Sequence, residues 1–137
     1  MNFKSESEFT RWFCKMVEAR GAETIAFVGS KMQQSGLPDR YVAHSIFRGW
    51  IEFKRKTNDY TSLQYNFIRD MKAKCDVAMG CRITAKGVII FEDEDQNPHH
   101  SLRALELEYL KTDKERGQML LVNCSIAWEC MVFARPI

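Results

Sequence analysis

Glu52 and Lys54 stand one residue apart in Ile51-Glu52-Phe53-Lys54, within a stretch whose tryptophan, isoleucine and phenylalanine otherwise mark a buried strand. Alternate strand residues share a face, so Trp50, Glu52 and Lys54 point one way and Ile51 and Phe53 the other, with residues 52 and 54 about 7 Å apart along the strand. Such a pair has two uses. Facing water, it is a solvated stripe behind a core formed by Ile51 and Phe53. Lining a cleft, it supplies a hard oxygen ligand for a divalent metal and a cation able to hold or activate a water near a phosphate. Asp39 favours the cleft, because it follows Gly36-Leu37-Pro38, where proline fixes φ and with it the angle at which the carboxylate leaves the loop. If the two strands form a hairpin, Asp39 and Glu52 converge, and two such carboxylates repel unless a cation lies between them. Mg²⁺ suits the arrangement, since it takes one or two carboxylates, keeps several waters and is completed by substrate phosphate.

The elements that would position these groups are legible from periodicity. Residues 5 to 20 carry Phe9, Trp12, Phe13, Met16 and Val17 at helical spacing and stop at Gly21. A strand is expected at 23 to 28, then a polar loop from Gly29 to Gly36, then strands at 39 to 45 and 49 to 54 joined by "HSIFRG" as an antiparallel hairpin. Thr61 opens a second helix to about Lys74. The runs "DVAMGCRI" and "GVIIF" follow as a hairpin through Thr84-Ala85-Lys86, and the acidic "EDEDQNP" is expected to be a hydrated linker. Asn97 as N-cap with Pro98 in the first turn predicts a third helix to Gly117, and "MLLVNCSIAWECMVF" is expected to close the chain as one or two strands. The order is that of an α/β domain with a mixed sheet.

At 137 residues the chain suits one domain, spanning 1–137, that buries a core without disulfides. No apolar run approaches the roughly 20 residues of a membrane span and the amino terminus has no apolar signal region, so a cytoplasmic protein is expected. The five cysteines form no C-x-x-C pair and read as free thiols of a reducing compartment. His99-His100 follows Asn97-Pro98 without a spaced cysteine partner, which suits a turn better than a zinc site. The net charge is +2 but unevenly spread: residues 1–91 carry a balance of +6 and residues 92–137 one of −4, so a polyanionic partner is compatible with the basic body.

Gly36-Leu37-Pro38-Asp39, Ile51-Glu52-Phe53-Lys54 and Thr61-Ser62-Leu63-Gln64 together resemble the signature of the PD-(D/E)XK nuclease superfamily, and most closely its VRR-NUC and Holliday-junction-resolvase-like branches. The resemblance covers about residues 5–91. It implies a restriction-endonuclease-like mixed-sheet core of helix, three strands, helix and strand, with residues 92–137 as a helix and strand extension. It implies that Asp39, Glu52 and the backbone carbonyl of Phe53 bind Mg²⁺, with Mn²⁺ able to substitute, and that Lys54 assists the attacking water. Such enzymes hydrolyse a phosphodiester in line, leaving 5′-phosphate and 3′-hydroxyl ends, while the metal lowers the pKa of water and offsets charge at phosphorus.

The family also carries a glutamate on its first helix. Glu6 precedes Phe9 by three and Phe13 by seven and so shares the inward face, whereas Glu8 aligns with Arg11 and Lys15 towards solvent, so Glu6 is chosen. Its alternative role is a stabilising acid in the first turn. Gln64 has two readings as well: the reach-back residue of a Thr61-x-x-Gln64 capping box, or the family's glutamine beside the catalytic lysine. Lys31, Arg40, Arg55, Lys56, Arg69 and Lys72 flank these positions as a track for a DNA backbone, while Trp50 and Tyr60 are stacking candidates. The resulting expectation is a Mg²⁺-dependent endodeoxyribonuclease selective for branched DNA, working as a homodimer without an organic cofactor, of the size seen in phage-encoded enzymes acting in a host cytoplasm. The alternatives are a non-catalytic nucleic-acid-binding protein of the same fold, or a hydrolase of another phosphorylated substrate.

Overall fold

The computed structural model describes residues 1–26 and 40–133. In chain order the elements are α1 (Glu6–Ala19), β1 (Glu23–Ala26), β2 (Arg40–Ala43), β3 (Arg48–Arg55), α2 (Ser62–Ala73), β4 (Ala78–Ile83), β5 (Val88–Glu92), β6 (Pro98–Arg103), α3 (Ala104–Glu108) and α4 (Asp113–Phe133). The strands form one open sheet in the order β1-β2-β3-β4-β5-β6. Every neighbouring pair is antiparallel except β3 and β4, which run parallel in the register Glu52↔Gly80 and Lys54↔Arg82. A parallel pair needs a crossover, and α2 supplies it. The domain is mixed α/β with a mostly antiparallel sheet.

The two faces of the sheet are unlike. Ile51, Phe53, Met79, Cys81, Ile89 and Phe91 alternate along β3, β4 and β5 and build the apolar core with Phe9, Phe13, Met16 and Val17 of α1 and Leu120, Leu121, Cys124, Ala127 and Met131 of α4. The Phe53 ring meets Phe9 and Phe13 edge-on at centroid distances of 5.7 and 5.0 Å. Helices α1 and α4 pack closely because residue 117 is glycine, where any Cβ would overlap the backbone carbonyl of Met16. Helix α2 lies on the opposite face, with Phe67 against Trp50.

Helix α1 begins at the Ser5 cap, whose side chain accepts the Glu8 N–H, and is followed by Gly21 at φ 101°, as its sequence indicates. Three expectations need correction. Residues 98–117 are not one helix: the Asp93 carboxylate accepts the amides of Asp95 and Asn97, Gln96 adopts φ 64°, and the chain turns back into β6. Pro98 sits at the first position of that edge strand, where its missing N–H is tolerated. "MLLVNCSIAWECMVF" is helical rather than extended. Its helix starts where the Thr112 hydroxyl accepts the Glu115 amide, and a helix that buries one side while exposing Val122, Ile126, Val132 and Phe133 on the other shows no amphipathic period in sequence. The "EDEDQNP" turn is not simply a hydrated linker, for Glu92 and Asp93 are buried. All five cysteines are free; burial pushes the thiols of Cys14, Cys81 and Cys124 upward, which keeps them protonated. Among the described residues no helix is long and apolar enough to cross a membrane.

Candidate functional site

On the α2 face of β3, Glu52 is 2% and Lys54 7% exposed, so the pair is not a solvated stripe. Burying two charges is costly unless they are paired and hydrogen-bonded; the two are paired with each other, and Glu52 is hydrogen-bonded as well. Lys54 Nζ lies 3.7 Å from Glu52 Oε1, and Gln64 Nε2 donates to the same oxygen at 2.6 Å. Gln64 closes the expected capping box and also reaches the Glu52 carboxylate. Its side-chain oxygen accepts the Thr61 amide at 2.9 Å while Thr61 Oγ1 accepts the Gln64 amide at 3.2 Å, so the capping box aims the Gln64 NH₂ at Glu52.

Sequence patterning left two neighbours of this pair, Arg82 and Glu92, without a chemical role, and gave a third, Tyr60, only a stacking one. Arg82 and Glu92 are buried one strand and two strands away, joined by a guanidinium-carboxylate contact with Nη2···Oε1 of 2.8 Å and Nε···Oε1 of 3.0 Å. Burial alone would lower the Arg82 pKa, but its bonds to Glu92 outweigh this and raise it, so the charge is secure. Tyr60 donates its hydroxyl to Glu92 at 2.7 Å and holds its ring 5.6 Å from Lys54 Nζ. Burial first, and then the Glu92 charge, push the Tyr60 phenol far above its ordinary value, which keeps it a donor. Gly80 makes room, since any Cβ there would overlap the Tyr60 hydroxyl. The signal was in the alternation: Gly80 and Arg82 repeat on β4 the spacing of Glu52 and Lys54 on β3.

The other candidates have surroundings of their own, Glu6 on α1 being carried by the helix that packs on the opposite face of the sheet. Glu6 accepts a hydrogen bond from Asn58 Nδ2 at 2.7 Å, in the turn that leaves β3, while Glu8 accepts the Lys4 amide at 3.3 Å. Glu6 and Arg40 come together with Ser7, Thr10 and Arg11 around a polar recess of about 310 Å³. Asp39 and Lys31 lie outside the described residues; Asp39 is covalently next to Arg40, whose strand partner Ile51 is next to Glu52. Arg55 donates to the Phe3 carbonyl at 2.9 Å, tying down the amino terminus. Lys56 is exposed, in a turn at φ 56°. Arg69 is exposed beside Asp70 and over the Tyr65 ring. Lys72 is buried against Glu94 at 2.9 Å, and Trp50 packs between Tyr41 and Phe67. His99 and His100 bond to Asp93 and Asn123 respectively.

Among the described residues no three His, Cys, Asp or Glu side chains are grouped so as to hold a metal ion. The donor chemistry nevertheless fits a hard cation. Glu52 offers carboxylate oxygen, and the Trp50 and Lys56 amides donate to Val77 and Ile83 on the β4 side, so the alternate backbone groups of Phe53 point to the β2 side, from which the chain leads to Asp39. The arrangement pairs a carboxylate with an ammonium on the α2 face of β3, an inner strand of the sheet. Comparison of the chain with protein-family models and with characterised proteins gave no match.

Proposed function

We propose that the protein is a Mg²⁺-dependent DNA endonuclease of the PD-(D/E)XK type, preferring branched substrates. The observation that carries the reading is the burial of Glu52 and Lys54 on one strand face with Gln64 bonded to the carboxylate. A solvated pair would need no such partner, and a buried pair costs stability that a function would justify. The order α1, β1 to β3, α2, β4, with β4 parallel to β3, supports a restriction-endonuclease-like core; α3 and α4 extend it. In this reading Glu52, Asp39 and the Phe53 carbonyl hold Mg²⁺ or Mn²⁺, and Glu6 completes the acidic set. The ion, when bound, acidifies water and offsets negative charge on the phosphate. Lys54 faces the scissile phosphate and orients the attacking water, Gln64 fixes the Glu52 carboxylate, and Arg40 and Lys56 contact neighbouring phosphates. The outward residues of α4 form a homodimer contact, which would suit symmetric substrates.

The test is incubation of the purified protein with supercoiled, linear, single-stranded and four-way-junction DNA in Mg²⁺, Mn²⁺ or EDTA. Cleavage of junctions in either metal is expected, and Lys54→Ala should lower it by about a hundredfold or more while junction affinity stays within about threefold, since phosphate contacts elsewhere carry binding. Cleavage undiminished in excess EDTA would remove the metal mechanism. Tight metal-independent DNA binding without any cleavage would favour the non-catalytic alternative.

A further inference from the structure

Arg82 reaches in two directions. Its Nε and Nη2 hold Glu92, while Nη1 donates to the backbone carbonyls of Lys56 at 2.8 Å and Asn58 at 2.7 Å. Those carbonyls belong to the turn in which Lys56 adopts φ 56°, a conformation that a non-glycine residue holds only when its surroundings impose it. From the same turn Asn58 extends its side-chain amide to Glu6. The partner of Arg82, Glu92, accepts the Tyr60 hydroxyl, and the Tyr60 ring lies against the Lys54 ammonium. One buried guanidinium-carboxylate pair is thus linked at one end to Glu6 and at the other to Lys54, two groups on different elements.

We infer that Arg82 and Glu92 are positioning residues of the site: through the Lys56–Asn58 turn they set Glu6, and through Tyr60 they set Lys54. The inference rests on the nuclease reading above. Arginine suits the task because its planar fork serves a carboxylate and two carbonyls at fixed angles, which a lysine ammonium cannot reproduce. Gly80 is part of the device, since it admits the Tyr60 hydroxyl over β4. Neither Arg82 nor Glu92 need touch the substrate. A shift in what they hold changes the rate and leaves the binding surface intact.

The experiment compares wild type, Arg82→Lys, Tyr60→Phe, Asn58→Ala and the Arg82→Lys/Asn58→Ala double variant in single-turnover and steady-state junction cleavage, alongside amide hydrogen exchange. Asn58 is exposed and Tyr60→Phe keeps the ring, so these two test the device even if Arg82→Lys folds poorly. The rate constant should fall about tenfold or more in Arg82→Lys and several-fold in Tyr60→Phe and Asn58→Ala, with junction affinity within about twofold, as a small misplacement of reacting groups predicts. Arg82→Lys and Asn58→Ala should be non-additive, because they cut one chain of contacts. Exchange should quicken at the Lys56 and Asn58 amides before the rest of the sheet. If the variants keep the wild-type rate per folded molecule and exchange rises evenly across the core, Arg82 and Glu92 are structural and the inference fails. If the wild type does not cleave, the nuclease reading fails and takes this inference with it; if the wild type cleaves and the variants cleave equally, only the inference fails.

Discussion

The two faces of the central strands are built on opposite logic. Towards α1 and α4, Ile51, Phe53, Met79, Ile89 and Phe91 fill a closed apolar layer; towards α2, Glu52, Lys54, Arg82 and Glu92 occupy the corresponding positions as buried charges. The first face stabilises the fold by removing apolar surface from water. The second must satisfy every charge it buries merely to approach neutrality, and a well-packed apolar face would serve the fold as well or better. Identical strands therefore carry a layer selected for stability and a layer whose composition stability alone does not explain.

The sharpest way to break the contrast is to truncate each face in turn. Phe91→Ala should cost about 3–5 kcal/mol in urea unfolding, from lost burial and the cavity left behind, and on the proposed nuclease reading should leave the cleavage rate per folded molecule nearly unchanged. A rate that collapses together with stability would show that the two faces are not separable. Next, Glu52→Met alone should cost roughly 3 kcal/mol, because it leaves the Lys54 ammonium buried without its carboxylate, whereas Glu52→Met with Lys54→Met should recover most of that loss and remain inactive. If the double variant is as unstable as the single, the charged face contributes to the fold and the comparison fails.

The smallest effect is expected at the margin of the charged face, in the turn after β5. Burial alone would raise the Asp93 pKa, but hydrogen bonds from His99 and from the Asn97 and Asp95 amides together hold it below the ordinary carboxylate value. A carboxyl depressed in the folded state contributes fully above its unfolded value, near pH 3.9, and loses that contribution as pH falls towards the folded value. Melting temperatures at pH 7 and pH 3 should therefore drop further for wild type than for Asp93→Asn. Parallel changes in the two proteins would show that this turn plays no part in acid sensitivity.

Much of the site was legible because strand alternation is rigid: Trp50, Glu52 and Lys54 do share a face, and Thr61 does cap the helix that brings Gln64 to Glu52. Periodicity does not say which face is covered, so the choice between a solvated and a buried pair waited on the placement of α2. The carboxyl-terminal elements were less readable for a different reason. In α4 apolar residues occupy both the packed and the outward sides, which erases the helical period, and Gly117, which has the look of a helix stop, serves a close helix crossing instead. The Thr112-x-x-Glu115 cap was the available signal. Pro98 suggested a first helical turn, and its chemistry fits the start of an edge strand equally well. Arg82 went unmarked because a lone arginine in "AMGCRI" has no sequence partner; Glu92, which accompanies it, lies across a hairpin.

The parallel pairing of β3 with β4 also sets the order in which the chain can assemble. The β2–β3 and β4–β5 hairpins close over short loops, but β3 and β4 can meet only after α2 has been wound between them. Local contacts form early and the crossover late, since loop entropy must be overcome before distant strands pair. Glu52 and Lys54 ride on one hairpin and Arg82 and Glu92 on the other, so these charges stay hydrated until the halves join and shed their water in the same event. In stopped-flow refolding, Glu52→Met/Lys54→Met is accordingly expected to speed the folding limb rather than slow unfolding; an unchanged folding limb would mean that the charges dehydrate only after the barrier.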